Sequence, residues 1–163
     1  MIKAAVITCS NRSARGERAD DSGQVLAAGL ADEGYQVAVP VVVPDEVEAI
    51  RAAVRAALDS GARLIVTTGG TGLAPTDVTP EAVAPLLERD IPGIGETLRA
   101  VARDRIPTSV LSRGVAGTIG DALVVTMPGS PGGVRDGLAV LTPLAGHVLD
   151  QLSGGDHRRG GGV

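Results

Sequence analysis

The chain has almost no aromatic residues. Phenylalanine and tryptophan are absent from its 163 residues, and Tyr35 is the only tyrosine. The core must therefore be built from valine, leucine, isoleucine and alanine, which suits helices packed on a buried parallel sheet. The same absence removes the aromatic platforms on which proteins stack single-stranded nucleic acid. Nineteen acidic against fifteen basic residues give a formal net charge of -4, so we predict that no nucleic acid is bound.

Cysteine, lysine and long apolar runs are also scarce. Cys9 has no partner for an internal disulfide, which is typical of proteins from reducing compartments. The apolar stretch near the N-terminus is too short for a secretion signal, and no segment is apolar over the roughly 20 residues that a membrane span requires. We therefore expect a cytoplasmic protein that does not enter a membrane. Lys3 is the only lysine, so the phosphate-binding loop GxxxxGK[ST] cannot form, because its lysine is missing.

What remains is an alternation of apolar strands and amphipathic helices. The predicted strands are 4–9, 35–43, 63–68, 114–120 and 122–128. The predicted helices are 21–34, 45–61, one from Thr79, 95–104 and 131–152. This alternation predicts one α/β domain over residues 1–153, with three layers and a mostly parallel sheet to which the 114–128 hairpin adds one antiparallel strand. Residues 154–163 are rich in glycine and have little to bury, so we expect a disordered tail.

Polar segments follow four of the predicted elements, at 10–12, 44–46, 67–72 and 128–131. In open α/β sheets, ligands bind outside the carboxyl ends of the strands. The segment 67–72 reads TTGGTG, in which the glycines expose backbone N–H groups and the threonines add hydroxyls. A helix beginning at Thr79 would add the positive end of its dipole. These features predict a phosphate-bearing ligand, although a glycine-rich turn also serves as a tight connection between elements.

The position and spacing of the glycines exclude a dinucleotide fingerprint. The glycines of GxGxxG follow the first strand of a βαβ unit, whereas these follow the third strand and GGTG has a different spacing. Other motifs accompany the loop. The chain carries AVITCSNR from residue 5 and TTGGTGLAPTDVTPEAV from residue 67, followed by IPGIGETLR, LSRG and MPGSP. This combination resembles the molybdopterin-binding proteins of molybdenum cofactor biosynthesis, namely the bacterial Mog and MoaB proteins and related G domains. The resemblance spans nearly the whole chain and implies a three-layer α/β/α sandwich with a five-stranded, largely parallel sheet.

The resemblance also implies a reaction and a set of residues. The best-characterised family members bind molybdopterin and ATP, transfer AMP to the terminal phosphate of the pterin with the help of Mg2+ and release pyrophosphate. The aspartates of PDE and DVTPE, Asp45 and Asp77, match two functionally important family positions, which implies catalytic and Mg2+-binding roles. The residues expected to bind pterin or nucleotide are Ser10, Asn11, Arg12, Thr68, Gly69, Gly70, Thr71, Gly72, Thr79, Ser112, Arg113, Gly129, Ser130 and Pro131.

The same resemblance implies assembly and a downstream partner. It points to a homotrimer, with a hexamer as the alternative in the compact MoaB-like branch, and to a protein that inserts molybdate into the adenylylated product. The sequence offers separate support for an oligomer. Its mean hydropathy is +0.21, and Ile91, Ile94, Leu98 and Val101 are expected to present more apolar surface than one core absorbs.

Several candidates also have a purely structural interpretation. Asp45 and Ser130 stand where helix N-caps belong, and Thr79 is expected to cap a helix whatever else it contacts. Asp77 precedes the same helix, where an acidic residue is electrostatically favourable. Capping and ligand binding are therefore both open interpretations at these positions.

Two departures from the family pattern leave the activity open. Asn11 replaces an aspartate that many relatives carry, and Thr76 stands where relatives often have a basic residue. Arg12 and Arg113 would either offset phosphate charge or be solvated. Three functional hypotheses result: an adenylyltransferase, a non-catalytic molybdopterin-binding or scaffold protein, and a general nucleotide-binding module.

Overall fold

A seven-stranded mixed sheet forms the centre of the computed structural model, which describes residues 1–154. Its order is β2-β1-β4-β7-β6-β5, and β3 pairs with β1 beyond the end of β2. Within the described sheet, β6 is the one strand that runs against the others, since its pairings with β5 and β7 are both antiparallel. The strands are β1 (Lys3–Cys9), β2 (Gln36–Val37), β3 (Val41–Val43), β4 (Leu64–Thr68), β5 (Arg89–Asp90), β6 (Ala116–Ile119) and β7 (Ala122–Met127).

Helices cover both faces of this sheet, which confirms the predicted three-layer α/β architecture. The helices are α1 (Asn11–Ala14), α2 (Asp21–Asp32), α3 (Val47–Asp59), α4 (Thr79–Val83), α5 (Pro92–Ala100) and α6 (Pro131–Leu152). Short 3-10 turns follow at Ala84–Leu86 and Pro107–Leu111. The helices α2, α5 and α6 pack on one face, and α3 and α4 pack on the other.

Alternate residues of the central strands feed two separate aliphatic cores. Leu64 and Val66 of β4 pack with residues of α2 and α6, whereas Ile65 between them packs with residues of α3 and α4. All three side chains are completely buried. Because both faces of β4 are covered, its first three residues form a continuous apolar run rather than an alternating pattern. The prediction of a core built from aliphatic side chains is confirmed.

The strand count differs from the expected five. The apolar run 35–43 is divided at 38–40 into β2 and β3, because Pro40 has no N–H to donate to a ladder. Both pieces lie at the edge of the sheet, as Pro40 predicts. The other additional strand, β5, has only two residues and pairs with Gly117 and Thr118 of β6. Such a short strand has no sequence period to detect.

The apolar residues around α5 contribute less surface than the sequence suggests. Ile94 is buried, and Ile91 and Leu98 pack against the same core as α2 and α6. Val101 is 42% exposed. The expectation of surplus apolar surface is therefore wrong for Ile94, while Ile91 and Leu98 remain partly exposed. The helix begins at Pro92 rather than near Gly95, because proline fits the first turn of a helix.

The last helix agrees with its predicted bounds, and α6 includes Pro143. Within residues 1–154, none of the helices combines the length and the apolar character needed to span a membrane. The predicted disordered tail begins at Gly154, and residues 155–163 lie outside the described part of the chain.

A glycine at the end of β4 provides a test of this packing. Gly69 has φ of 94°, and a Cβ there would overlap the carbonyl oxygen of Cys9 on β1. We predict that Gly69→Ala destabilises the protein by the ~1–2 kcal/mol of a left-handed alanine plus at least ~1 kcal/mol of overpacking. Gly61→Ala is the matched control, because Gly61 has φ of 85° and no atom lies within 4 Å of the position that its new methyl group would take. Urea unfolding measures both losses, and equal losses would contradict the close approach of the two strands.

Candidate functional site

The carboxyl ends of three parallel strands meet at one edge of the sheet. Thr8 of β1 pairs with Thr68 of β4, which in turn pairs with Met127 of β7. The end of β3 joins them, because the Ser10 N–H donates to the Val43 carbonyl over 2.9 Å. The polar segments that follow these strands are therefore brought together, as the sequence predicts.

A polar cavity of about 350 Å3 lies at this edge. Half of its lining comes from residues that the sequence singled out as candidates. These are Ser10, Asp45, Thr68, Gly69, Gly70, Asp77, Gly129 and Ser130. The other half was not predicted and is contributed by Thr8, Cys9, Ser13, Arg18, Ala19, Asp20, Asp21 and Ser22.

The glycine-rich loop carries free hydrogen-bond donors at the edge of this cavity, which Gly70 borders. The Gly69 N–H is used inside the protein, where it donates to the Met127 carbonyl over 3.0 Å. By contrast, the N–H groups of Gly70, Thr71 and Gly72 donate to no acceptor among residues 1–154. A row of free N–H groups in a turn is a common way of binding an anion.

The helix dipole expected at this site comes from a different helix. Thr79 is buried and is the first residue of α4 rather than its N-cap, and its hydroxyl donates to the Gly69 carbonyl over 2.9 Å. The capping interpretation of Thr79 is therefore wrong, because this hydroxyl fixes the glycine loop instead. The N-terminus that borders the cavity belongs to α2, through Asp21 and Ser22. Asp20 caps it by accepting from the Gly23 N–H over 2.9 Å.

Asp45 is held in place by a reciprocal pair of hydrogen bonds. Its Oδ2 accepts from the Asn11 N–H, and its own N–H donates to Oδ1 of Asn11, both over 2.9 Å. It does not cap α3, because Glu46 occupies that position without a side-chain bond. The carboxylate borders the polar cavity instead. Burial raises the pKa of Asp45 and so does the negative charge of Asp77, while the Asn11 N–H opposes the shift.

Asp77 is fixed by its own turn. Its Oδ2 accepts from the Ala74 N–H over 3.0 Å, and its N–H donates to the Ala74 carbonyl over 2.9 Å. The carboxylate does not cap α4, since no side chain caps that helix. It borders the polar cavity, as the Asp45 carboxylate does, and its negative charge contributes to the raised pKa of Asp45.

Arg113 ties the glycine loop to the turn that contains Asp77. Its Nε donates to the Gly72 carbonyl and its Nη2 to the Asp77 carbonyl, each over 2.8 Å. Its guanidinium also pairs with the Glu81 carboxylate, which lowers the pKa of Glu81. The Arg113 N–H donates to the Thr71 carbonyl over 2.8 Å. The guanidinium is therefore bonded to partners within the protein, and Arg113 lines neither the polar cavity nor the apolar cavity beside it.

The remaining cationic candidate also lies elsewhere. Arg12 is exposed in α1 and lines neither cavity, whereas Arg18 lines the polar cavity. Pro131 occupies the first turn of α6. Arg18 and the neighbouring residues 19–22 were missed because the run RADDSG was interpreted only as the beginning of a helix. The pair Asp20–Asp21 at that helix start was the available signal.

The polar cavity is acidic, and its residues fit a phosphate-bound Mg2+ ion. Among the described residues, four carboxylates border it, from Asp20, Asp21, Asp45 and Asp77, against one guanidinium, that of Arg18. Among residues 1–154, no three side chains of the metal-binding types form a complete metal site. Mg2+ is commonly held by one or two carboxylates together with phosphate oxygens and water. Asp45 and Asp77 fit this mode, since Oδ1 of each accepts no hydrogen bond from the described residues.

Cys9 lines the same cavity without being a nucleophile. Its side chain is 2% exposed, and burial raises the pKa of the thiol to about 12. The thiolate, which is the reactive form, is therefore rare near neutral pH.

A second, apolar cavity of about 240 Å3 lies next to the polar one. Ser130 borders both cavities and also caps α6, because its hydroxyl accepts from the Gly133 N–H over 3.0 Å. The Ser112 hydroxyl donates a hydrogen bond to the Thr71 hydroxyl over 3.2 Å at the wall of the apolar cavity. The lining of the apolar cavity comprises Thr71, Gly72, Leu98, Val101, Ala102, Ile106, Thr108, Ser109, Leu111, Ser112, Pro128, Ser130, Gly133 and Asp136.

Fold and site together define a three-layer α/β domain whose cavities lie at the carboxyl ends of parallel strands. Comparison with known proteins extends this to a family. Residues 5–147 match the family model described as a probable molybdopterin binding domain. The chain therefore belongs to the molybdopterin-binding domain family of molybdenum cofactor biosynthesis, which confirms the resemblance seen in the sequence.

Individual relatives agree with this assignment. The chain is 43% identical over 156 residues to a molybdenum cofactor biosynthesis bifunctional protein from Synechococcus elongatus, covering 96% of this chain and 49% of the relative. It is 39% identical to molybdenum cofactor biosynthesis protein B from Staphylococcus aureus, covering 93% and 92%. The solved Mog protein from Mycobacterium ulcerans superposes with a TM-score of 0.88 at 42% identity, covering 93% and 99%. The chain thus spans about half the length of the bifunctional relative.

The interaction between the two aspartates can be measured directly. We predict that Asp77→Asn lowers the pKa of Asp45, because it removes the nearby negative charge that helps to raise it. A carboxyl with a raised pKa opposes folding once it is ionised, so its contribution to stability falls as the pH rises through that pKa. Carbon-detected NMR titration of the Asp45 carboxyl reports the value, with Asp59→Asn at the exposed end of α3 as the control. An unchanged pKa of Asp45 in Asp77→Asn would show that the carboxylates do not interact.

Proposed function

We propose that this chain transfers an adenylyl group from Mg-ATP to the terminal phosphate of molybdopterin. An oxygen of that phosphate attacks the α-phosphorus of ATP, the bond from the α-phosphorus to the bridging oxygen breaks, and pyrophosphate leaves. The products are adenylylated molybdopterin and pyrophosphate. The observation that carries the proposal is the pair of cavities that share Ser130. A polar and an apolar cavity side by side suit two ligands that must react with each other.

The described residues suggest how the reactants are positioned. The free N–H groups of Gly70, Thr71 and Gly72 donate to phosphate oxygens, and the N-terminus of α2 adds its positive dipole. Asp45 and Asp77 hold Mg2+, which offsets the charge of the phosphates when it is bound. Phosphoryl transfer depends mainly on such positioning and charge neutralisation. The contacts of Arg113 and Asn11 keep the loop and Asp45 in place before the ligands arrive.

One observation favours the second candidate, a non-catalytic molybdopterin-binding or scaffold protein. Nucleotidyl transfer benefits from cations beside the phosphates, and among residues 1–154 the lining of the polar cavity includes one cation, Arg18. Thr76 is exposed and lines neither described cavity. A site with few cations can still bind the substrate without activating it.

The two candidates differ in one assay. The protein is mixed with molybdopterin, Mg-ATP and pyrophosphatase, and the mixture is analysed for adenylylated molybdopterin. Formation of this product supports the transferase, and tight pterin binding without product supports the scaffold. A transferase would in turn supply its product to a downstream protein that inserts molybdate.

The variant Asp77→Asn tests whether this carboxylate takes part in the transfer. The variant keeps the shape and the hydrogen bond to Ala74 but removes the charge that Mg2+ needs. Losing one such electrostatic contact costs roughly 3–4 kcal/mol in the transition state, on the order of a hundredfold or more in rate. Melting and molybdopterin affinity should barely change, since removing a negative charge does not weaken the attraction of an anion. Asp59→Asn should leave all three quantities unchanged, and undiminished transfer in Asp77→Asn would refute the catalytic assignment.

We also propose that the chain forms a homotrimer. The proposal rests on the family resemblance, and the described surface adds exposed Val39 and Val41 at the edge of the sheet and Val110 near the apolar cavity. Light scattering at micromolar concentration should give about three times the chain mass of 16.3 kDa. A sixfold mass would indicate the hexameric alternative, and the mass of one chain would contradict both.

A further inference from the structure

One acidic side chain, that of Asp136, borders the apolar cavity. Asp136 lies in α6, and the N-cap Ser130 lines this cavity together with Gly133 and Asp136 at three-residue spacing. Residues three apart lie on one helical face, and Gly133 has no side chain to cover that face. The Asp136 side chain is 24% exposed. A carboxylate at the wall of an apolar slot is costly to desolvate unless something donates hydrogen bonds to it.

The partner that Asp136 has within the protein is a loose one. Both carboxylate oxygens lie 2.9 Å from the same nitrogen of Arg105, Nη2, so the pair is not the two-pronged arrangement that makes such contacts strong. The Arg105 side chain is 63% exposed. Ion pairs of this kind contribute little to stability. Arg105 can therefore turn into solvent while Asp136 binds something else.

The shape and chemistry of the cavity match a flat heterocycle with a donating edge. Leu98, Ala102 and Ile106 supply an apolar wall for a ring system. A carboxylate is an acceptor with two oxygens, and it pairs best with two N–H donors side by side. The 2-amino-4-oxo edge of a pterin presents such donors, its 2-amino group and its N3–H. The edge of adenine offers one donor beside an acceptor.

We propose that the apolar cavity takes the pterin ring and that Asp136 determines specificity by accepting hydrogen bonds from its 2-amino group and N3–H. This inference rests on the proposed function, because the pterin is the substrate assumed there. The phosphate end of the same ligand then extends past Ser130, which borders both cavities, towards the polar cavity. Asp136 acts on recognition, not on the transfer step.

The test compares two probes that differ at one position. The first is the phosphate ester of 6-hydroxymethylpterin, and the second is its lumazine counterpart, which has a 2-oxo group in place of the 2-amino group. Ring fluorescence reports binding without interference, because the chain has no tryptophan. The parent protein should prefer the pterin by about tenfold to a hundredfold, since hydrogen bonds to a charged group are lost with the lumazine.

Asp136→Asn should reverse this preference. The asparagine amide offers one acceptor and one donor, which complement the N3–H and the 2-oxo group of the lumazine. A merely structural role for Asp136 predicts no reversal, because loss of the ion pair would affect both probes alike. Arg105→Ala is the matched control, since it removes the same ion pair and leaves the carboxylate. It should keep the preference for the pterin.

Each other outcome has a definite meaning. Equal binding of both probes by the parent protein would overturn the role of Asp136 and leave the proposed function intact. Loss of the preference in Arg105→Ala to the same extent as in Asp136→Asn would also overturn it. Binding of neither probe by the parent protein would count against the pterin substrate itself, and so against the proposed function as well as this inference.

Discussion

The approach of three chain segments around Gly69 is the constraint on which both cavities depend. A Cβ at Gly69 would overlap the carbonyl oxygen of Cys9, while the Gly69 N–H donates to Met127 and its carbonyl accepts from Thr79. On the β7 side, a Cβ at Gly129 would lie 3.0 Å from the Gly69 Cα. The loop can therefore pass between β1 and β7 only as bare backbone. This passage leaves the next three N–H groups free to face a ligand.

The charges around the loop are arranged so that the Arg113 guanidinium holds the protein together while acidic groups face the cavity. Arg113 donates to the carbonyls of Gly72 and Asp77 and forms an ion pair with the Glu81 carboxylate. Asp45 and Asp77 remain at the cavity wall, where their negative charges are energetically unfavourable as long as no cation is bound. A phosphate-bearing ligand would meet repulsion there unless a cation accompanies it. The acidic lining therefore favours phosphates that arrive with a divalent cation, as the proposed Mg-ATP substrate does.

Much of this arrangement was predictable from the sequence, because the periods of strands and helices are local properties. The alternation of apolar segments fixes three layers, and parallel strands necessarily gather their carboxyl-end residues, including Asp45 and Asp77, at one edge. The partners of Arg113 were not predictable, since Gly72 lies 41 residues away along the chain. The sequence places Asp45 at an N-cap position, and only the fold shows that it forms hydrogen bonds with Asn11 instead. The apolar cavity was missed because Leu98 and Ile106 are of the same residue types as the core.

The central claim is that Asp45 and Asp77 together hold a divalent cation on the phosphates of a nucleotide. Crystals grown with Mn2+ and α,β-methylene ATP, whose α–β linkage cannot be cleaved, test it most directly, because Mn2+ scatters anomalously. The account predicts one anomalous peak within coordination distance of both carboxylates and of phosphate oxygens, with the N–H groups of the 70–72 loop donating to the phosphates. Nucleotide bound in the polar cavity with the peak absent, or located away from Asp45 and Asp77, would contradict it.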